Sequence, residues 1–132
     1  MLRTIDTINV GDFATFTKTV SESDVYMYAG ISGDFNPAHI NAVEAEKGIF
    51  GERIAHGMLT ASFISTVLGT RLPGPGTIYL SQELSFKRPV KFGDTIEAKV
   101  EVIEKIEEKN RLIVRTTCTN QQIGRASCRE RV

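Results

Sequence analysis

The sequence predicts an α+β domain in which a curved antiparallel sheet surrounds one long apolar helix. Three observations support this prediction. From Gly57 to Leu68 the chain is apolar or small on almost every helical face, which is typical of a helix buried on most sides. Alternating apolar segments separated by turn residues follow it, as in consecutive antiparallel strands. One strand and shorter helices precede it, so strands and helices are segregated along the chain.

The first strand and the first helix have clear local signals. Phe13–Val20 is rich in Thr, Phe and Val, which favour strands. Ser21 followed three residues later by Asp24 is typical of a capping box, in which each side chain bonds the other residue's backbone N–H. Apolar residues at helical spacing then predict a helix over residues 22–31.

An irregular segment is predicted after this helix, because Gly33 and Pro37 both interrupt helices. Asn41 is a predicted cap for a short helix that extends to Glu46. Residues 48–54, which contain two glycines, are a predicted loop with some burial.

The second half of the chain predicts a series of strands. Pro73–Gly76 ends the long helix. Alternating apolar residues predict strands over Thr77–Pro89, Thr95–Glu104 and Arg111–Thr119. Together with the first strand they fall one short of the roughly five strands expected of a sheet that covers such a helix.

The last ten residues, 123–132, match a translated sequencing-adapter read-through, and we interpret them as a non-native tail. The alternative is a genuine polar C-terminus. On the first interpretation the native domain covers residues 1–122 and its last strand is missing. A ladder without that strand leaves backbone groups unsatisfied, so we expect lower stability than in a chain that keeps the strand.

Composition argues against several classes of protein. The 132 residues suit one domain with a buried core. The 16 basic and 16 acidic residues balance, and aromatic residues do not alternate with basic ones, so nucleic acid is not an expected partner. The sequence has no apolar run of membrane-spanning length, and residues 1–10 lack the apolar core of a signal peptide. Two cysteines without metal-ligand spacing indicate a reducing, cytoplasmic setting.

Asp34, Asn36 and His39 lie close together around Pro37. A carboxylate and an imidazole five residues apart can converge on one water, because the proline bends the segment between them. An imidazole exchanges protons near neutral pH, and the Asn36 amide could fix the water. The alternative is an Asx turn, in which the Asp and Asn side chains only bond the local backbone.

His56 and Gly57 lie at the predicted start of the long helix. The free N–H groups of a helix N-terminus can stabilise a carbonyl that gains negative charge, and glycine lets an oxygen approach closely. The alternatives are that His56 is an ordinary cap and that Gly57 is chosen for packing. We expect a structural role for His56. Ser62 and Ser65 could line a pocket or bond the carbonyl four residues back.

Two further possibilities are weaker. Metal binding by Asp34, His39 and His56 is not expected, because neither histidine spacing matches a zinc pattern. The basic residues within Lys87–Lys91 are interpreted as a solvated strand end, with binding of ligand phosphates as the alternative.

Three motifs taken together are specific: GDFNPAH at Gly33–His39, AHGML at Ala55–Leu59 and YLSQELSFKRPV at Tyr79–Val90. They resemble the MaoC-like (R)-specific enoyl-CoA hydratases, which include the hydratases that supply monomers for polyhydroxyalkanoate synthesis. The resemblance runs from about Gly11 to Thr119. It implies the hot-dog fold, in which a sheet wraps a central helix, and a homodimer that binds the CoA ester at or near the subunit interface.

The resemblance also implies roles for single residues. Asp34 and His39 would hold the catalytic water and add its elements to a trans-2-enoyl-CoA thioester, giving (R)-3-hydroxyacyl-CoA. The backbone N–H of Gly57 would bind the thioester carbonyl. Asn36 would support the Asp–His pair.

Ser65 and Leu68 match positions that line the acyl pocket in the family, and no metal or redox cofactor is implied. Two enzymatic alternatives stay open, a hot-dog acyl thioesterase and an acyl-carrier-protein dehydratase. A third alternative is a non-catalytic acyl-CoA-binding domain, which would be expected to lack the Asp and His that this chain has.

Overall fold

The computed structural model describes residues 4–120 in full and the backbone alone of residues 125–131. Within these residues the α+β class is confirmed: a five-stranded antiparallel sheet covers the longest helix, as in a hot-dog fold. No helix of the described residues has the length and apolar character needed to cross a membrane.

The sheet has the spatial order β1–β3–β4–β5–β2, and every neighbouring pair is antiparallel. The strands are β1 (Phe13–Thr19), β2 (Ser81–Ser85), β3 (Thr95–Ile106), β4 (Arg111–Thr119) and β5 (Arg125–Arg131). The helices are α1 (Glu22–Ser32), α2 (Pro37–Ile40), α3 (Ala42–Glu46) and α4 (Gly57–Thr70).

Most predicted elements are confirmed to within a few residues, and two differ. The strand predicted over Thr77–Pro89 is shorter and forms only β2. Part of the segment predicted to be irregular is the short helix α2, which contains His39. Pro37 opens this helix, where its missing N–H costs nothing, and the Asn36 side chain caps it, so both residues promote a helix start rather than a break.

The prediction that the last strand is missing is wrong, because the backbone of Arg125–Arg131 forms a strand. β5 lies between β4 and β2 and pairs with both of them. The residues interpreted as a tail therefore fill the missing strand position, which removes the unpaired ladder from which lower stability was expected. The non-native origin of residues 123–132 and the domain limits 1–122 stay predictions. Residues 1–3, 121–124 and 132 lie outside the described residues.

Helix α4 is the centre of the hydrophobic core, and it packs against β1, β3 and β4. Its buried side chains meet the inward-facing side chains of the sheet, which alternate along β3 and β4 as expected for strands with one covered face. The principal core residues are Leu59, Phe63, Ile64, Val67 and Leu68 of α4 with Ile96, Ala98, Val100, Val102, Leu112, Val114 and Cys118 of the sheet.

Helix α1 begins with the predicted capping box. The Asp24 N–H donates to Ser21 Oγ at 3.1 Å, and the Ser21 N–H donates to Asp24 Oδ2 at 3.0 Å. Lys18 Nζ lies 3.1 Å from the same carboxylate oxygen. The bond from the Ser21 N–H holds the pKa of Asp24 below its ordinary value of 3.8, and Lys18 lowers it further, while partial burial acts in the opposite direction.

Replacing Asp24 by Asn should therefore destabilise the protein in a pH-dependent way. The amide keeps an oxygen for the Ser21 N–H but has no negative charge. A negative charge at a helix N-terminus stabilises the helix by about 1 kcal/mol or less. Because the pKa of Asp24 is lower in the folded state, its contribution is present above pH 3.8 and is lost as the pH falls through the folded-state pKa. Thermal unfolding should show a melting temperature a few degrees below wild type near neutral pH, converging with wild type in acid. An equal difference at every pH would contradict this.

Candidate active site

A cavity of about 550 Å³ opens where the end of α1, the start of α4 and the segment after β2 meet. Asp34, His39 and Gly57, which the sequence assigned to one site, all line it. The structure thus brings together residues from three separate segments of the chain. Tyr28, Met58 and Phe86 supply apolar surface to the same cavity.

Asp34 and His39 are close enough to share one water. One polar atom from each of Asp34, His39 and His56 lies within 4.8 Å of the others. A water that makes ordinary hydrogen bonds of about 2.7–3.2 Å to two groups can bridge a separation of this size. Asp34 is exposed, whereas His39 retains only 9% of its accessible surface. The carboxylate therefore meets solvent while the imidazole is held in the wall.

The ring of His39 has a fixed orientation. Its Nδ1–H donates to the carbonyl oxygen of Ile54 at 2.8 Å, since a carbonyl can only accept. The other ring nitrogen, Nε2, has no hydrogen-bond partner among the described residues. The acceptor is itself anchored, because the Ile54 N–H donates to Ala38 O at 3.0 Å and the Ala55 N–H donates to Val90 O at 2.7 Å.

One oxygen of the Asp34 carboxylate forms the predicted Asx turn, and the other does not. The Asn36 N–H donates to Asp34 Oδ1 at 3.2 Å, and the Asp34 N–H donates to Ser32 Oγ at 3.2 Å. The second carboxylate oxygen has no partner within the described part of the chain. Asn36 Oδ1 accepts from the Ala38 N–H at 3.0 Å, so Asn36 caps α2 rather than facing the cavity.

Gly57 opens α4 without a side-chain cap on the preceding residue. The Leu59 N–H bonds His56 O at 3.1 Å, while the Gly57 N–H has no acceptor among the described residues. A Cβ added at Gly57 would meet the ring of Phe86 at 3.0 Å. The absent side chain therefore leaves a narrow approach to a free, polarised N–H group.

His56 does not act as an ordinary cap, because its side chain forms no capping bond. Its Nε2–H instead donates to the backbone carbonyl of Asp34 at 2.9 Å. Its ring stacks on that of His39, with centroids 3.9 Å apart and planes at 27°. The structural role expected for His56 thus has a definite geometry, which joins both members of the predicted pair.

Thr60 is a polar residue of the cavity that the sequence motifs did not indicate. Oγ1 of Thr60 and Nδ1 of His56 are buried without a hydrogen-bond partner among the described residues, and both residues line the cavity. The signal that could have found Thr60 is its position four residues after His56, which places both on one face of the helix start. Both unpaired atoms are buried within the cavity wall rather than exposed on its surface.

The two residues assigned to the acyl pocket lie elsewhere. Leu68 is 1% exposed and belongs to the core. Ser65 lines a separate depression of about 370 Å³, and Met58 lines both this depression and the main cavity. Ser62 Oγ donates to Met58 O at 2.8 Å, which is the back-bonding alternative for a helical serine. The acyl-pocket assignment stays a prediction.

The three polar residues of the site could also ligate a metal ion, which their sequence spacing did not indicate. His39 and His56 each bond a backbone carbonyl through one nitrogen, as metal-ligating histidines commonly do. These bonds leave His39 Nε2 and His56 Nδ1 over, and the second of these atoms is buried. The expectation that the site works without a metal stays a prediction.

Known proteins match this chain over most of its length. A family profile described as "MaoC like domain" matches residues 11–123. A Rhodospirillum rubrum protein named (R)-specific enoyl-CoA hydratase is 54% identical over 119 residues, which are 90% of this chain and 83% of that protein. A Methylorubrum extorquens protein named 3-hydroxybutyryl-CoA dehydratase is 50% identical over 112 residues, or 85% and 71% of the two chains.

Solved structures agree with the sequence comparisons. The structure described as an (R)-hydratase from A. caviae involved in PHA biosynthesis superposes with a TM-score of 0.89 at 38% identity. The superposition covers 95% of this chain and 94% of that one. The hot-dog architecture inferred from the motifs is therefore confirmed.

Replacing Thr60 by Val tests whether its hydroxyl is unpaired in the resting protein. Valine has nearly the same shape but no polar atom, so the change removes the desolvation cost of a buried, unbonded hydroxyl. We expect stability to rise by about 1 kcal/mol, seen as a melting temperature a few degrees higher. Thr116→Val is the matched control, because Thr116 is also buried but its hydroxyl is not left unpaired. A lower melting temperature for Thr60→Val would show that the hydroxyl is bonded.

Proposed function

We propose a hydro-lyase function for this chain, which belongs to the MaoC-like domain family. The reaction is addition of water to a trans-2-enoyl-CoA to give (R)-3-hydroxyacyl-CoA, together with the reverse dehydration. The observation that carries the proposal is the placement of the Asp34 carboxylate and the His39 imidazole within 4.8 Å of each other beside the free N–H of α4. The similar proteins support it, because one is named for the hydration and another for the dehydration.

The acid and base roles are assigned from how each group is held. Asp34 is exposed and has one carboxylate oxygen without a partner among the described residues, so we assign it to accept a proton from water as the water oxygen bonds C3. His39, when protonated, carries an N–H on Nε2 because its Nδ1–H is held by Ile54, and it delivers that proton to C2. Transfer of the proton from Asp34 to His39 restores both groups. The net change is one water added across the C2–C3 bond.

The thioester carbonyl is assigned to the N-terminus of α4. Addition at C3 pushes charge onto this oxygen, which gains enolate character. The exposed N–H of Gly57 and the partial positive charge of the helix end are the groups in the cavity that stabilise such charge. Because they are preorganised by the buried helix, they need no rearrangement during the reaction.

The acyl carrier is assigned to the basic side of the cavity. Lys87 and Arg88 are exposed and belong to its wall. Their charges suit the phosphate groups of CoA. A phosphopantetheine arm on a carrier protein presents a similar phosphate, so the acyl-carrier-protein dehydratase remains the nearest alternative. Comparing rates on the two forms of one acyl group would separate them.

The acyl tail is assigned to the side of the cavity bounded by Met58. This residue also borders the depression that contains Ser65, so a tail that passes Met58 reaches the residue implied in chain-length selection. Leu68 is buried, so it would affect the shape of this side of the cavity only through its packing against the residues that line it. These assignments follow the resemblance and are proposals.

We also infer a homodimer in a cytoplasmic setting. Several large apolar side chains are exposed, among them Phe13, Ile31 and Ile49 at 62%, 85% and 92%. Exposed apolar surface of this kind often marks a protein interface. Light scattering on the purified protein would measure the oligomeric state.

Crotonyl-CoA hydration by the wild type and by Asp34→Asn and His39→Gln tests the assigned chemistry. Each change removes one partner in proton transfer, so kcat should fall by about 10²–10⁴-fold. The measurement follows loss of enoyl absorbance, with chiral chromatography of the product and a free-thiol assay in parallel. The exposed Asp6→Asn is the matched control, since Asp6 lies in a turn outside the cavity.

The outcomes separate the alternatives. Loss of enoyl absorbance without free thiol, giving the (R) product, supports the hydratase. Release of CoA would identify a thioesterase, and no reaction in the wild type would favour a non-catalytic binding domain. Wild-type rates in both variants would show that Asp34 and His39 are not the acid–base pair.

Replacing Gly57 by Ala tests the carbonyl site. The new methyl group would lie 3.0 Å from Phe86 and cover the N–H, so we expect kcat/KM to fall by roughly 10–100-fold. Gly69→Ala is the control in the same helix, because a Cβ there meets nothing within 4 Å. It should keep activity and gain some stability from the better helix propensity of alanine. Equal activity in both variants would contradict a carbonyl site that needs the space left by Gly57.

A further inference from the structure

We propose that His56 is a positioning residue, which sets the orientation of both Asp34 and His39 without itself exchanging a proton. The inference rests on the proposed function, since it assigns how the acid–base pair is held. His56 is 3% exposed and lies directly before α4, the most deeply buried helix of the core. It contacts Asp34 through one ring nitrogen and His39 through its ring face.

The hydrogen bond to Asp34 joins an exposed residue to the core. Asp34 follows the left-handed cap residue Gly33 and precedes the start of α2, and residues 33–37 are all exposed. The Nε2–H of His56 donates to the Asp34 carbonyl at 2.9 Å. Because the donor belongs to the rigid start of α4, the bond fixes the backbone from which the carboxylate projects.

The stacked contact sets the plane of the His39 ring. The bond from His39 Nδ1 to Ile54 O constrains one atom of that ring but leaves it free to tilt about the bond. The His56 face, with centroids 3.9 Å apart, removes this freedom. Tyr28 packs against His56 at 4.9 Å, so His56 is itself held by an aromatic neighbour. Together these contacts fix the direction in which His39 Nε2 points.

His56 is poorly placed for proton transfer of its own. Its Nε2–H is committed to a backbone carbonyl, and its Nδ1 is buried without a partner among the described residues. The side chain therefore acts through the two residues that it touches. Misplacement of catalytic groups by about 1 Å can cost around 10²-fold in rate, so this support is expected to matter.

Two substitutions separate the two contacts. His56→Gln places an amide donor near the position of Nε2 and keeps the bond to Asp34, but it loses the stacked ring. His56→Phe keeps a ring against His39 but loses the donor. We expect each variant to lose about 10-fold in kcat, and His56→Ala, which loses both contacts, about 100-fold. KM for crotonyl-CoA should stay within about two-fold of wild type, because the substrate contacts are not removed.

A core variant controls for loss of stability alone. Val114→Ala removes buried volume from β4, away from the cavity, and should lower the melting temperature while leaving kcat unchanged. Wild-type kcat in both His56→Gln and His56→Phe would overturn the proposal. A loss confined to KM would overturn it as well, since it would identify His56 as a substrate-binding group.

An NMR measurement tests the geometry without any activity. The chain has only two histidines, so a tag-free His39→Gln protein contains His56 alone. Nitrogen-15 spectra of that single ring should show the proton on Nε2, with slow exchange because the group is buried and bonded. A proton on Nδ1, or rapid averaging between the nitrogens, would overturn the proposal. This result stands even if the other variants fail to fold or the wild type proves to have another activity.

Discussion

Burial of α4 is the constraint on which the rest of the structure depends. Most faces of this helix carry apolar side chains, so the helix must be covered on several sides. The five-stranded sheet supplies that cover, and the alternation of β3 and β4 directs one set of side chains onto it.

The site is a consequence of how the start of α4 is anchored. Residues 54–56, which lead into the helix, bond three other segments: Ile54 with Ala38, Ala55 with Val90, and His56 with Asp34. These bonds bring the turn after α1, the helix α2 and the segment after β2 to one place. Gly57 then lines the same cavity as Asp34 and His39. Core packing and site geometry are therefore two aspects of one set of contacts.

The polar groups of the cavity differ in how they are held, and this difference suits their roles. Asp34 is exposed and keeps one carboxylate oxygen for a ligand, whereas His39 is largely buried and fixed through Nδ1. His56 is enclosed between Tyr28 and His39. These differences suit the roles proposed for the three residues, with Asp34 as the base, His39 as the acid and His56 as the positioning residue.

The sequence by itself determined the fold class, α4, the capping box of α1 and the candidate residues Asp34, His39 and Gly57, because these depend on local spacing and on residue types with few uses. Only the tertiary structure decided the contacts of His56 and the unpaired burial of the Thr60 hydroxyl, since both depend on which segments meet. It also decided that Asn36 caps α2, that Leu68 belongs to the core, and that Arg125–Arg131 fills the sheet. Backbone pairing accepts many sequences, so the register of β5 with β4 and β2 could not be predicted from the composition of that segment.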